Sequence, residues 1–571
     1  MKRGPALVPA LASMALSTLL RAPNLPQPTG PDQGIMMRIG LGILRGHVPY
    51  RDAFEAATPP IFFTYAGFLA VLGETMRSVN LADLIVVSLT SALVAFIGSR
   101  ACPERPRGAA WAAGLLYAVV SAGTAFGMNA AGELTAGSYW FVAQREVFIG
   151  FLVAAATALA FGTGVPGAAR AAAIGLLTGA GFMYKFPALL LFLPATAYVL
   201  LPSPEGAAAR HGVFRRAMLW AGGVAAAPAL CLVWFWRHEA LAPMYEATVE
   251  FVRQVYGQND YGLVSALKNG FLRTGIVVRE SAPVWALALA GAATVITGAR
   301  RSGAVIPASR RKQVVVLWFA ASVLVVAAQR EFFGYHYLVI PAPLAATAGM
   351  TAAMLAASLG LGAGIGLRRT VAALGRMPAV LVLLAAGACG MVVFAGYNLR
   401  HVTRFVRFET GERDRTWYDS HFTAWPEHEY SYPGDAAVAA ALAEITKPDD
   451  RVFVLGGIEP VIYTLADRRS ASRFIWSWCL TDTNRADLPI AGLFREELIR
   501  DFSQSPPAAL VTIGPLERFS KYPILTDALL PAYEQVGVFP DERYLYRLKP
   551  GARIAAPRLP VRTAVSGSDP W

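Results

Sequence analysis

The sequence predicts an α-helical polytopic membrane protein with a small soluble α/β domain at its C-terminal end. Three observations lead there. The 571-residue chain is 55% hydrophobic and only 16% charged, with a mean hydropathy of +0.44, too apolar for an ordinary soluble protein. Its apolar runs have the length of a bilayer-crossing helix, roughly 20 residues at 1.5 Å rise, and not the ten-residue alternation of barrel strands. After Tyr397 the composition turns charged, aromatic and rich in turn residues.

Spans fall near 4–21, 79–99, 109–126, 145–163, 171–184, 186–201, 217–236, 281–298, 314–328, 336–364 and 378–397. This gives about eleven transmembrane helices, so the termini fall on opposite sides. The basic loops SRACPERPRG, RHGVFRRA, ARRSGAVIPASRRK and LRRTVAALGR share a side with Lys2 and Arg3. That side is the cytoplasm by the positive-inside rule. The first loop, 22–78, the loop after the third span, the loop 237–280 and the C-terminal segment then face outward. The run PPIFFTYAGFLAVLG within the first loop is apolar enough for an extra half-span. No small-residue cleavage site follows STLLRAPN, so the first run reads as an uncleaved span. The Ala/Arg-rich composition points to a bacterial inner membrane.

The formal net charge of +13 is explained by cytoplasmic loops facing anionic lipid headgroups. No aromatic-interleaved basic patch indicates nucleic acid. Cys102, Cys231 and Cys389 lie within spans or at their cytoplasmic edge, leaving Cys479 alone on the oxidising side, so no disulfide is expected. No His/Asp/Glu spacing marks a dedicated metal site, and no cofactor is predicted.

The chain therefore divides into a membrane domain, 1–397, and an extracytoplasmic domain, 398–571. In the latter, GDAAVAAALAEIT and EPVIYTLADR have helical spacing, while DDRVFVLGG and PPAALVTIG read as strands. Two strand-helix units favour a small, partly parallel sheet. The LGGIEP turn lacks the dinucleotide fingerprint and reads as a tight turn.

The first loop, GPDQGIMMRIGLGILRGHVPYRDAFEAATPP, places carboxylates among arginines on the outer face. Carboxylates can take a proton from a hydroxyl and arginines can neutralise a leaving phosphate, although mixed charge in such a loop is most often simply solvated. Its pattern PDQG…ILRGHVPYRD…PP resembles the first outer loop of the GT-C superfamily of polyprenyl-phosphate-dependent glycosyltransferases, among them protein O-mannosyltransferases, lipid A aminoarabinose transferases and rhizobial lipopolysaccharide galacturonosyltransferases. The resemblance runs through Asp32, Gly46, Tyr50, Asp52, Pro59 and Pro60; Gln33 departs from the family's usual Glu. AQREVFIGFLVAAATALA, GLLTGAGFMYKFPALLLF, YHYLVIPAPLAA and RVFVLGGIEPVIYTLADRRSASRF resemble later family segments in order.

The resemblance implies a GT-C-like fold and transfer of a sugar from a polyprenyl-phosphate carrier to an envelope acceptor (lipid, glycan or protein) on the outer face, with membrane lipid as surroundings. It implies Asp32 as general base; a helix N-cap is the competing reading. Tyr50 and Asp52 would bind substrate, with pairing of Asp52 to Arg51 or Arg45 as the alternative. Glu146, at a membrane edge where an acid usually has a partner, would line the cavity, with Arg145 a solvated or snorkelling neighbour. Lys185 would hold the donor phosphate as a point charge, against snorkelling to headgroups. Arg330 would bind the departing phosphate, and His336 is a further contact or a member of an aromatic belt. Some members of the wider superfamily use a divalent cation. Two other functions compete. A transporter or flippase of lipid-linked saccharide predicts mid-span charge pairs and internal pseudo-symmetry, and neither is read here. A noncatalytic envelope scaffold predicts that Asp32 is dispensable.

Overall fold

The computed structural model describes residues 6–122, 141–162, 167–201, 209–256, 263–302, 307–358, 399–422, 430–457, 459–481 and 487–556. Residues 123–140, at the end of the third expected span and in the loop after it, the end of the expected span 336–364 from 359 onward, and the expected span 378–397 lie outside them. The chain divides into two compact units. One comprises Met1–Pro26, Asn80–Leu230 and Tyr261–Val406; the other comprises Gln27–Val79, Cys231–Asp260 and Arg407–Trp571. Most of the first outer loop thus groups with the C-terminal segment.

The first unit is helical. Prolines open several of its helices, at Pro106, Pro307 and Pro341, where the missing N–H costs nothing. Three described helices are long and apolar enough to cross a membrane alone: Met76–Ala101, Gly212–Arg237 and Arg310–Gln329. A fourth candidate is Gly270–Glu280 with Ala282–Gly298, bent by 100°. Leu7–Arg21, Pro106–Ser121, Arg145–Phe161, Gly167–Tyr184 and Pro341–Ser358 are shorter, at 15 to 18 residues. The protein is a multi-pass membrane protein. Leu7–Arg21 and Pro341–Ser358 both pack on Pro106–Ser121, and small residues set how closely such helices approach. A side chain on Gly175 would run into the carbonyl oxygen of Trp220, and one on Gly179 into that of Val224. Gly223 on the facing helix meets the backbone of Ala172 and Leu176 in turn. Where lipid removes the hydrophobic drive for helix association, this backbone contact supplies it.

The second unit is built on a five-stranded sheet of order β2-β1-β3-β5-β4, with β1 Arg451–Leu455, β2 Arg469–Ser470, β3 Ala509–Ile513, β4 Tyr533–Phe539 and β5 Arg543–Leu548. Strand β1 runs parallel to β2 and β3, with Phe453 opposite Leu510. The hairpin β4–β5 adds antiparallel pairing, with Val511 opposite Leu545. Both strands read from the sequence occur, as do the two helices, Tyr432–Ile445 and Val461–Ala466. The β4–β5 hairpin was not anticipated. Val438, Leu442, Val452, Val454, Ile462 and Val511 meet in the core on one face of the sheet.

The first-loop segment of this unit forms two helices, Pro31–Leu44 and Pro60–Leu72. The second is the apolar half-span anticipated in PPIFFTYAGFLAVLG. Gly34 packs on Pro460 and Val461, which seats the first helix on the Val461–Ala466 helix. Segment 241–256 is also helical. Its Ala247, Phe251 and Val255 are buried, and Phe251 stacks on Phe494.

Candidate active site

In the second unit, the Pro31–Leu44 helix has Gly30 as its N-cap, in extended conformation, and Pro31 as its first residue. Asp32 is therefore not the cap. It stands in the first turn, beside the partial positive charge of the helix N-terminus. Asp32 is half-buried, and its neighbour Gln33 is buried.

The Gly46-x-x-x-Tyr50-x-Asp52 segment is a self-closing turn. Gly46 enters it at φ +87°, a conformation that a side chain would strain. Tyr50 is held at φ +69° and fully buried, its hydroxyl donating to the Ala57 carbonyl at 2.7 Å. Asp52 accepts from the Val48 amide at 2.7 Å and from Arg51 Nε and Nη2 at 2.8 and 2.9 Å. Both Asp52 oxygens thus serve the turn, and its partner is Arg51; Arg45 pairs with Glu74. His47 lies 3.9 Å from Asp52, and burial lowers its pKa more than Asp52 raises it. Arg38 is buried, its pKa pulled down to about 10 by burial and by Arg45; it donates to the Arg468 carbonyl at 3.0 Å.

In the first unit, Gln144 opens the Arg145–Phe161 helix. Glu146, in its first turn, is buried and accepts from Lys185 Nζ at 2.6 Å. Lys185 itself breaks the chain between Gly167–Tyr184 and the Phe186–Ala188 turn. Its ammonium lies 5.7 Å from the centre of the Tyr335 ring, a cation–π contact. Tyr335 meets His336 edge-on at 4.7 Å, and Phe333 approaches the same imidazole at 5.5 Å. Arg273 lies over Phe333 at 5.9 Å and donates to the Phe332 carbonyl at 3.1 Å. The charges of Lys185, Arg145 and Arg273 all act on His336, whose Nδ1 is buried and makes no hydrogen bond among the described residues. Three cations and one carboxylate thus collect around a histidine and two aromatic rings, an arrangement suited to an anion.

Of the residues singled out in the sequence, Glu146, Lys185 and His336 come together in this cluster. Tyr50 and Asp52 come together in their own turn. Arg330 is exposed, at φ +60°, and is not among the charges acting on His336. Arg273 was missed. Its signal was an arginine in the apolar stretch GFLRTGIVV. A second constellation also went unread: Arg21 Nε meets Asp83 at 2.7 Å, both buried, Arg21 also donates to the Ser121 carbonyl, and Asp83 accepts from the Ala143 amide at 2.8 Å. The LGGIEP turn is filled: Gly456 stands at φ +101° and donates to Ser477 Oγ, and a side chain there would meet the Phe519 ring. Among the described residues no group of three His, Cys, Asp or Glu side chains is placed to hold a metal ion.

The fold has solved counterparts. The chain is similar to ArnT from Cupriavidus metallidurans in a crystal structure bound to undecaprenyl phosphate, with a TM-score of 0.53 and 15% sequence identity over 96% of this chain and 98% of that one. The apo crystal structure of the same protein gives a TM-score of 0.51 at 14% identity, over 95% and 97%. The chain therefore has an ArnT-like membrane fold. No protein-family model and no curated protein sequence matches it.

Proposed function

We propose that this protein is an integral membrane glycosyltransferase that moves a sugar from a polyprenyl-phosphate carrier to an envelope acceptor on the extracytoplasmic face. The observation that carries this reading is the near-complete match in fold to a protein captured with undecaprenyl phosphate. The cluster of Lys185, Arg145 and Arg273 around His336 supports it, because a phosphate monoester or diester needs such a set of donors.

We assign proton transfer to Asp32 and phosphate binding to the cations. The acceptor hydroxyl oxygen attacks the anomeric carbon and forms the new glycosidic bond. The bond between that carbon and the phosphate oxygen breaks, its electron pair leaving with polyprenyl phosphate. The hydroxyl proton passes to Asp32, and attack opposite the leaving group inverts the anomeric centre. Lys185, fixed by Glu146, supplies a point charge to the departing phosphate. Tyr50 and Asp52 shape the loop beside the acceptor, and Arg330 offers an exposed charge to headgroups.

A panel of radiolabelled polyprenyl-phosphate sugars, presented with envelope extract to protein in nanodiscs, tests the reading. Label moving from one carrier to an extract component is the expected result. Transbilayer movement of the carrier with the sugar still attached would replace this reading with a flippase.

A further inference from the structure

The segment bearing Asp32 is held at four points by the C-terminal part of its own unit. Three residues before Asp32, the Thr29 carbonyl accepts from Tyr430 Oη at 2.6 Å. Beyond it, Arg38 reaches the Arg468 carbonyl and lies 6.0 Å over the Tyr463 ring. Further along, the Phe54 amide donates to the Arg473 carbonyl at 2.8 Å, and the Phe54 carbonyl accepts from Trp476 Nε1 at 3.1 Å. Arg473 Nη1 also donates to the Tyr50 carbonyl at 3.3 Å.

Arg473 is the centre of this arrangement. Its guanidinium is paired with Glu497 at 2.6 Å and Glu246 at 3.1 Å, so one side chain ties the C-terminal domain to segment 241–256 as well. It also lies 5.6, 5.0 and 5.5 Å over the rings of Phe54, Phe474 and Phe494. Its planar fork of five donors makes four hydrogen bonds here, two to Glu497 and one each to Glu246 and the Tyr50 carbonyl, whereas an ammonium has only three donors. Phe54 fills the middle, fully buried among Phe251, Phe474, Trp476 and Phe494. A base must stand within hydrogen-bond reach of the proton it takes, and small displacements cost rate steeply.

We infer that the C-terminal domain is the positioning layer of the Asp32 loop, with Arg473 and Trp476 as positioning residues for the transfer step. The inference rests on the reading of Asp32 as base. It gives the domain a role in every turnover, and not as a detachable acceptor-binding module.

Amide hydrogen exchange on the full-length protein in nanodiscs tests it, comparing wild type with Trp476→Phe and Arg473→Lys. The first variant removes one hydrogen bond and keeps a ring; the second keeps the charge and loses the fork. The expected result is about tenfold faster exchange within 50–57, the loss of roughly one hydrogen bond, with strands β1 and β3 as protected as in wild type. The transfer kcat falls by about tenfold while the donor KM stays within about twofold. Unchanged exchange at 50–57, faster exchange there with unaltered kcat, or equal loosening of β1 and β3 overturns the inference. If wild type transfers no sugar from any carrier, the assignment of Asp32 as base fails, and with it the transfer role of the domain. The exchange data then decide only whether the clamp itself exists.

Discussion

Lys185 Nζ stands 2.6 Å from Glu146 Oε1, the carboxylate buried and the ammonium mostly so. The pair ties the Arg145–Phe161 helix to the break after Gly167–Tyr184 at what the sequence reads as the outer membrane edge, and it explains both residues at once. The buried Glu146 carboxylate gains a cationic partner, and Lys185 gains a fixed direction. Removing one partner leaves the other charge buried, a cost of about 3–5 kcal/mol. Lys185→Met should therefore lower the melting temperature and raise the donor KM by more than about tenfold, the worth of one charge-assisted hydrogen bond. The double variant Lys185→Met/Glu146→Gln should regain most of the stability and none of the donor affinity. Thermal unfolding alongside donor titration checks both. Recovery of donor affinity in the double variant would assign Lys185 a purely structural role.

The close crossing at Gly175 and Gly179 yields a sharper stability prediction. Their helix meets the Trp220 and Val224 backbone directly, and no rotamer can relieve a clash with main chain. Gly179→Leu should abolish recovery of folded protein from detergent extraction, whereas Gly212→Leu, which meets nothing nearby, should leave the yield unchanged.

Buried charge in the C-terminal domain predicts a pH dependence. Arg543 pairs with Asp435 at 2.9 Å and with Glu459 at 3.5 Å, all three side chains fully buried. Burial, helped by the nearby Asp541 carboxylate, raises the Asp435 pKa to about 7 against the pull of Arg543. The folded state therefore holds a proton that the unfolded state, with its carboxyl near about 4, has released. Stability from this group is fully present below about pH 4 and is lost as pH rises through about 7. Asp435→Asn should flatten the stability of the full-length protein between those values. A slope unchanged by Asp435→Asn would place the titrating group elsewhere.

The aromatic cluster around Phe54 predicts a large truncation effect. Phe54→Ala removes a fully buried ring touching four others and should cost about 3–5 kcal/mol. Chemical denaturation followed by tryptophan fluorescence measures it, since Trp476 lies 5.9 Å from Phe54.

Local pattern carried much of this molecule. Strand β1 and strand β3, the helices that follow β1 and precede it, and the Pro60–Leu72 half-span all announced themselves through hydrophobic spacing. Gly175 and Gly179 lie in the family-like segment GLLTGAGFMYKFPALLLF, and the structure supplies their reason in backbone contact. What escaped was long-range. Nothing in the vicinity of Phe54 announces Arg473 or Trp476, since the hydrogen bonds joining them are read by no local period. Arg21 and Asp83 lie 62 residues apart in the chain, and no local period joins them. Arg273 sat in an apolar stretch and gained meaning only beside Phe333. The β4–β5 hairpin was hidden because its outward residues, such as Glu534 and Arg547, are charged and its turn, Pro540–Glu542, carries no glycine. The cap reading of Asp32, the alternative to a base, gives way because Gly30 fills the cap and Pro31 opens the helix.

The most direct test of the account is a single-turnover transfer with Asp32→Asn, using the sugar carrier that serves wild type. The account predicts that binding of undecaprenyl phosphate is retained while the transfer rate falls by about 10²–10⁴-fold, the contribution of a positioned general base. Transfer by Asp32→Asn at the wild-type rate would contradict it.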